Sequence, residues 1–453
     1  MTHAAGPADV DPIAVAGSKR YIAVLVLAAV IGVPISVFAY FFLALVNEMQ
    51  GWIFTDLPEA IGFDSAPRWW PLLPLGVAGL LVGLCIRHLP GGGGESPADG
   101  FQTGRGPAPP SALPGIFLAA LAGLALGAVI GPEAPLIALG GGLAAALVKV
   151  RKDAPPQAAG VLALTGSFAA VSTLLGSPIV GAVLMLEAVG LGGSMMGLVL
   201  APGLLASGVG YLVFVGLNAW TGLGTFSLAI PTIESVGTVQ ASWVLWAIPV
   251  GVAAAGAVWA IRWLALSLRP VVGRRLVPMT VVAGLAVAGL AILYTAVTDK
   301  SEADVLFSGE VALGPLVTNG ASYSVGALLL LGLCKLLAYS ISLSAFRGGP
   351  VFPAMFIGAV GGIALSHLPG LPLVVGVGIG MGATVGAMLR FPIFAVLLTS
   401  LFLVDAGVGL LTPIIVAVVV SYAASAWVIP RYLPSREPDG GNAPRIAEPA
   451  PVS

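Results

Sequence analysis

Two ten-residue segments, Gly131 to Gly140 and Gly349 to Gly358, share one frame, Gly-Pro-x-x-Pro closed by a glycine. Proline is tolerated in the first turn of a helix, where its missing N–H costs nothing, so each frame marks a helix start. Both lie in long apolar stretches, and a helix start leaves backbone N–H groups without intrahelical partners. Two broken-helix starts at corresponding places in two halves of a chain point to a transport site near the bilayer midplane. The first copy holds a lone carboxylate, Glu133, where the second has Val351. Free N–H groups and the positive end of the helix dipole make such a start an anion site, which Glu133 can fill itself or vacate for a dissolved ion. An acid that merely complements a helix dipole is the alternative; the paired frame and the rarity of intramembrane acids favour a functional one.

Composition supplies the membrane. Hydrophobic residues make up 58% of the 453 and charged residues only 9%, against about a quarter charged in soluble domains. Apolar runs of spanning length, about 20 residues, recur between residues 20 and 429. They are continuous rather than alternating, which predicts an all-α polytopic membrane protein and not a barrel. A net charge of −1, with no basic stripe and interleaved aromatics, argues against a nucleic-acid partner. Cys85 and Cys334 fall in apolar runs without metal-ligand spacing and read as small core residues. The histidines, His3, His88 and His367, show no H-E-x-x-H spacing and no nucleophile–base pair is visible. Neither an enzyme nor a cofactor or metal is expected.

Lys19 and Arg20 precede the first apolar run, Tyr21 to about Val46, and Glu48, Asp56, Glu59 and Asp64 follow it with only Arg68 opposing. The positive-inside rule places the N-terminus in the cytoplasm, and the last run, Val408 to Val428, returns there at Arg431 and Arg436. The first run is too long for a signal-peptide core. The expected organisation is a cytoplasmic segment over 1–19, a membrane domain over 20–430 with inverted halves of about 20–217 and 240–430, and a short cytoplasmic tail over 431–453. The repeat extends beyond the frames, since Gly166 and Pro178 match Gly380 and Pro392 without a gap. Lys335 and Asp405, near the ends of apolar runs, read as snorkelling side chains. Pro90 to Gly100 is a backbone-rich turn whose glycines permit close approach of the main chain to a ligand; an ordinary cytoplasmic loop is the alternative.

At these motifs the sequence resembles the CLC family of chloride channels and proton-coupled chloride antiporters, over most of residues 20–430. Gly131-Pro132-Glu133-Ala134-Pro135 is similar to the family's G-K/R-E-G-P, which implies that Glu133 is the external gating glutamate. Gly348-Gly349-Pro350-Val351-Phe352-Pro353, after Lys335-Leu336-Leu337, resembles G-G-x-F-x-P, and Gly93-Gly94-Glu95-Ser96-Pro97 loosely resembles G-S-G-I-P. The resemblance implies a CLC-like inverted repeat of tilted and broken helices, forming a multi-pass homodimer in the cell membrane with one pore per subunit. It implies an inorganic anion, chloride, as the transported partner. The implied anion-binding residues are Gly93, Gly94, Glu95, Ser96, Gly131, Pro132, Ala134, Gly349, Val351 and Phe352, with Glu133 as the gate.

Departures from the family bear on mechanism. Gly94 stands where the family has its chloride-coordinating serine and Glu95 where it has glycine, while Pro350 removes a backbone donor. Ala188 takes the place of the inner proton-transfer glutamate, directly after Glu187. After Asp405, where a central tyrosine is expected, come Ala406 and Gly407, and the nearest tyrosine is Tyr422. The expectation is a divergent bacterial member that passes an anion through a pore gated by Glu133. Proton-coupled exchange, carriage of another anion such as fluoride, and a non-transporting membrane scaffold are the alternatives. Glu95 and Glu187 are the candidates for a proton path. Each also has a structural reading, Glu95 as a solvated loop acid and Glu187 as the partner of a neighbouring helix terminus.

Overall fold

A computed structural model describes residues 15–100, 106–149, 156–190, 195–223, 228–230 and 235–432. The segments expected at the cytoplasmic ends, 1–19 and 431–453, lie mostly outside these residues. The first half holds α1 (Lys19–Gly51), α2 (Leu72–His88), α3 (Leu113–Ala125), α4 (Glu133–Lys149), α5 (Pro156–Leu175), α6 (Pro178–Val189) and α7 (Met195–Thr221). The second holds α8 (Ala241–Arg274), α9 (Leu276–Thr298), α10 (Glu310–Thr318), α11 (Val325–Ala345), α12 (Val351–Leu365), α13 (Leu373–Leu389), α14 (Pro392–Phe402) and α15 (Leu411–Tyr432). Among the described residues, six helical stretches are long and apolar enough to cross a bilayer. The chain is an all-α integral membrane protein.

The two halves repeat one set of packings. Helix α4 lies on α5, α5 on α6, and α1 on α7; correspondingly α12 lies on α13, α13 on α14, and α8 on α15. The glycines that align in sequence make the first contact of each set. Gly140 of α4 meets Gly166 of α5, and Gly358 of α12 meets Gly380 of α13, so that a Cβ on any of the four would overlap the opposite carbonyl. Small residues let backbones touch where lipid offers no hydrophobic drive to associate. Helices α4 and α12 are short, about 25 Å at 1.5 Å per residue. Glu133, Val351 and Phe352 in their first turns are all fully buried. Broken backbone at membrane depth is tolerated when it is enclosed by protein in this way.

One reading of the apolar runs changes. Lys335 does not snorkel: it sits midway along α11, fully buried, with Nζ donating to the carbonyls of Leu306 (2.7 Å) and Phe307 (3.2 Å) beside the Phe356 ring. A buried ammonium requires such acceptors, and here it fixes the turn that precedes α10. Helix α8 runs through Pro249 and Pro270 to Arg274. Asp405 is exposed.

Candidate functional site

The two helix starts are joined directly. Gly131 and Gly349 form an isolated antiparallel bridge in which each N–H donates to the other's carbonyl, with Gly131 N to Gly349 O at 2.8 Å. Helix α11 holds both approaches to it. Ser342 Oγ accepts from Val129 N–H (3.1 Å), and the buried Tyr339 hydroxyl donates to the Pro350 carbonyl (2.9 Å).

Glu133 lies against this bridge. Its Oε1 accepts from the N–H of Phe352 at 3.0 Å, in the first turn of α12. Its Oε2 is buried and has no hydrogen-bond partner among the described residues. A Cβ on Gly131 or Gly349 would overlap the carboxylate, so the opening glycine of each frame leaves the space that the acid fills. The acid of one half thus occupies the helix start of the other, where unpaired N–H groups and the dipole favour negative charge. Pro132 and Ala134 flank it on the α4 side, and Val351 begins the α12 side.

A cavity of about 520 Å³ adjoins the paired starts. It reaches from the Gly91–Gly94 run, Glu95 and Ser96 to Ala134, Pro135, Gly348 and Pro350. All four of those glycines have φ between 57° and 101°, backbone that side-chain-bearing residues adopt only with strain, which accounts for four in succession. Ser96 Oγ is buried without a hydrogen-bond partner among the described residues. Gly93, Gly94, Glu95, Ser96 and Ala134 therefore line one space, whereas Gly131, Pro132, Glu133, Gly349, Val351 and Phe352 are outside its lining, next in the chain to the lining residues Ala134, Gly348 and Pro350. Asp99 and Arg269, also in the lining, form an ion pair.

Glu187 stands elsewhere, on α6, where its two oxygens accept from the N–H groups of Ile393 (3.1 Å) and Phe394 (2.8 Å). The local sequence gives the reason. Helix α6 starts after Ser177, whose hydroxyl caps the Val180 N–H, whereas α14 starts after Phe391 with no side-chain cap of its own. Glu187 supplies that cap from the neighbouring helix. Replacing it by alanine is expected to cost about 1–2 kcal/mol, the usual loss for a removed cap, and replacing it by glutamine less. Thermal unfolding of the detergent-solubilised protein measures this; an unchanged midpoint in Glu187→Ala would contradict the assignment.

Sequence reading passed over Arg347 and Tyr339. Arg347 Nε donates to the carbonyls of Gly92 (3.3 Å) and Gly94 (3.1 Å), and Nη1 donates to that of Phe346 (3.2 Å). Its signal was present: a cation next to the Gly348-Gly349 motif in apolar sequence is rare enough to single out. A tyrosine was sought after Asp405, whereas the hydroxyl that meets the second frame belongs to Tyr339 on α11.

The family described as "Voltage gated chloride channel" matches residues 78–426. The "Putative ion-transport protein YfeO" of Escherichia coli (strain SMS-3-5 / SECEC) is 30% identical over 355 residues, covering 76% of this chain and 79% of that protein. The protein of the same name from Escherichia fergusonii is also 30% identical over 355 residues, with the same coverage of both chains. The crystal structure of a slow cyanobacterial Cl−/H+ antiporter matches with a TM-score of 0.72 at 19% identity, covering 90% of this chain and 97% of that one. That of a CLC-type fluoride/proton antiporter matches with a TM-score of 0.64 at 22% identity, covering 89% and 95%. At such identities the two structures establish a common fold. With the family match spanning most of the chain and its two broken helix starts joined at a buried glutamate, this protein belongs to the CLC family of ion-transport proteins.

Proposed function

We propose that the protein passes a small inorganic anion, chloride, across the cell membrane along a path from the cavity to the paired helix starts, with Glu133 as the gate. The observation that carries this reading is the seat of the Glu133 carboxylate on the α12 terminus, fully buried and bonded to Phe352 N–H. A dissolved anion would use the same donor and the same dipole, so ion and carboxylate exclude one another. Protonation removes the charge that holds the side chain there, and acid opens the path. Gly93, Gly94, Ser96, Gly131, Pro132, Ala134, Gly349, Val351 and Phe352 form the walls. Both termini face the cytoplasm by the charge rule. The protein is a homodimer with one pore per subunit, paired through 178–200 and 391–425. In support, these stretches carry the exposed apolar side chains Ile179, Ile393, Ile415 and Val419, and Glu187 ties α6 to α14.

Transport is passive, because Ala188 carries no proton, Gly94 has no hydroxyl, and Glu187 is occupied in capping α14. Proteoliposomes loaded with chloride and a pH-sensitive dye test the proposal. Chloride efflux without stoichiometric proton movement is expected. Coupled proton movement in wild type would reject the passive reading, and its loss in Glu95→Gln would identify Glu95 as the proton carrier. Absence of chloride, nitrate or fluoride flux would reject anion transport and leave a membrane scaffold.

A further inference from the structure

One carboxylate near the seat belongs to neither frame. Glu310 opens α10, directly after the turn that Lys335 holds by the carbonyls of Leu306 and Phe307. That turn touches the approach to one helix start and the flank of the other. The Phe307 N–H donates to the carbonyl of Gly127 (3.3 Å), shortly before Gly131, and a Cβ on Gly309 would overlap Phe356, one turn along α12 from the Phe352 that holds Glu133. Glu310 therefore stands beside the seat, and its charge and that of Glu133 act on one another. It is not part of the cavity lining. The cavity takes Arg269 from the last turns of α8, near the start of α9, whereas Glu310 follows the other end of α9, about 35 Å along at 1.5 Å per residue. Cavity and Glu310 approach the seat from different sides.

The groups around them leave the two acids to each other. Glu310 is partly buried, and its carboxylate makes no hydrogen bond or ion pair to the described residues. Lys335, on α11, is engaged by the two carbonyls and by the charge of Asp304, which also accepts from the Tyr294 and Tyr323 hydroxyls. Tyr339, further along α11, faces Glu133 but keeps its proton on the Pro350 carbonyl. Helix α12 carries no titratable side chain, and Glu48, Asp56 and Glu59, near the Phe54 ring that packs on Phe307, are exposed. Like charges in a shared, poorly hydrated space disfavour each other's ionised form, and two acids so coupled titrate as a pair.

We infer that Glu310 is a second residue of the gate, whose carboxylate repels the ionised Glu133 from the side away from the cavity and so eases the protonation that opens the path. The inference rests on the reading of Glu133 as the gate. Two opposing fields then act on one side chain. The α12 terminus and the Phe352 N–H hold the charged form in its seat, and Glu310 destabilises that form. The helix start gives the gate its closed state, and Glu310 sets how much acid opens it. With Glu310 neutral, the terminus acts unopposed and the gate stays shut further into the acid range.

Chloride efflux from proteoliposomes as a function of pH tests this in wild type, in the neutral variants Glu310→Gln and Glu310→Ala, and in the charge-keeping Glu310→Asp. The Glu310 side chain is partly exposed and bonds to no described residue, so two neutral replacements give two chances of a folded protein. In each, the midpoint of acid activation is expected about one pH unit or more below that of wild type, the coupling at which two acids titrate as a pair. Glu310→Asp should stay near wild type. A residue that only shapes the start of α10 would change yield or maximal flux and leave the midpoint in place, which overturns the inference. Adding Glu310→Gln to Glu133→Gln should move no midpoint, because the carboxylate it acts on is gone; a pH response that still depends on Glu310 there would also overturn it. Wild-type protein that passes no anion, or whose flux ignores pH, defeats the gate reading and this inference with it. Acid activation in wild type with an unchanged midpoint in folded Glu310→Gln or Glu310→Ala defeats this inference alone.

Discussion

Glu133→Ala and Glu133→Gln should pass chloride at neutral pH about tenfold faster than wild type or more, a difference of about 1.4 kcal/mol in occupancy of the blocked state, and neither should speed up on acidification. The carboxylate competes with the anion for the Phe352 N–H, at the α12 terminus. Glutamine keeps the volume and loses the charge, as protonation does, and alanine also empties the space between Gly131 and Gly349 that the acid fills. Alanine should therefore conduct at least as well as glutamine. Chloride efflux from proteoliposomes across a range of pH measures both. If each variant folds, assembles and keeps the wild-type pH response, Glu133 is only a helix-terminal acid.

Gly358→Val should sharply lower the recovery of folded protein, whereas Gly361→Val, one turn further along the same helix at an exposed position, should be nearly silent. A Cβ on Gly358 would overlap the Gly380 carbonyl and Thr384 Oγ1, and a Cβ on Gly361 would meet nothing. Overpacking of a close backbone contact costs of order 3 kcal/mol, against a typical total stability of roughly 5–15 kcal/mol. Because α12 positions Phe352, separating it from α13 also removes the donor that Glu133 uses. Yield and monodispersity on size exclusion report the outcome. The mirrored substitution Gly140→Val should behave like Gly358→Val, since Gly140 stands equally close to Gly166. Survival of Gly358→Val as a monodisperse, conducting protein would mean that the glycine pairs do not set the packing.

The duplicated frame announced the architecture because proline and glycine have few uses inside apolar helices. The closing glycines of the frames, Gly140 and Gly358, and the aligned pair beyond them, Gly166 and Gly380, prove to make two contacts of one kind. The bridge between Gly131 and Gly349 was not legible. Residues so far apart in the chain meet only through tertiary packing, and nothing local in either frame requires the other's carbonyl. Lys335 was misplaced because an unbroken apolar run gives no internal register, so a buried lysine and a terminal one read alike until its acceptors, Leu306 and Phe307, are seen. Glu187 was readable as a cap, but its choice of α14 depended on Phe391 standing where α6 has Ser177. Arg347 was overlooked beside a motif defined by glycines and proline. Its role depends on carbonyls of Gly92 and Gly94, from the other half of the chain.

The measurement closest to the central claim is bromide anomalous diffraction at the α12 terminus, comparing wild type at alkaline pH with Glu133→Gln. The claim is that carboxylate and anion use one donor, Phe352 N–H. In Glu133→Gln a bromide peak is predicted at hydrogen-bond distance from that nitrogen, where Oε1 sits in wild type, and in wild type the place should hold the carboxylate and no bromide. Bromide at the same position in both proteins, or at the α12 start in neither, would contradict the account.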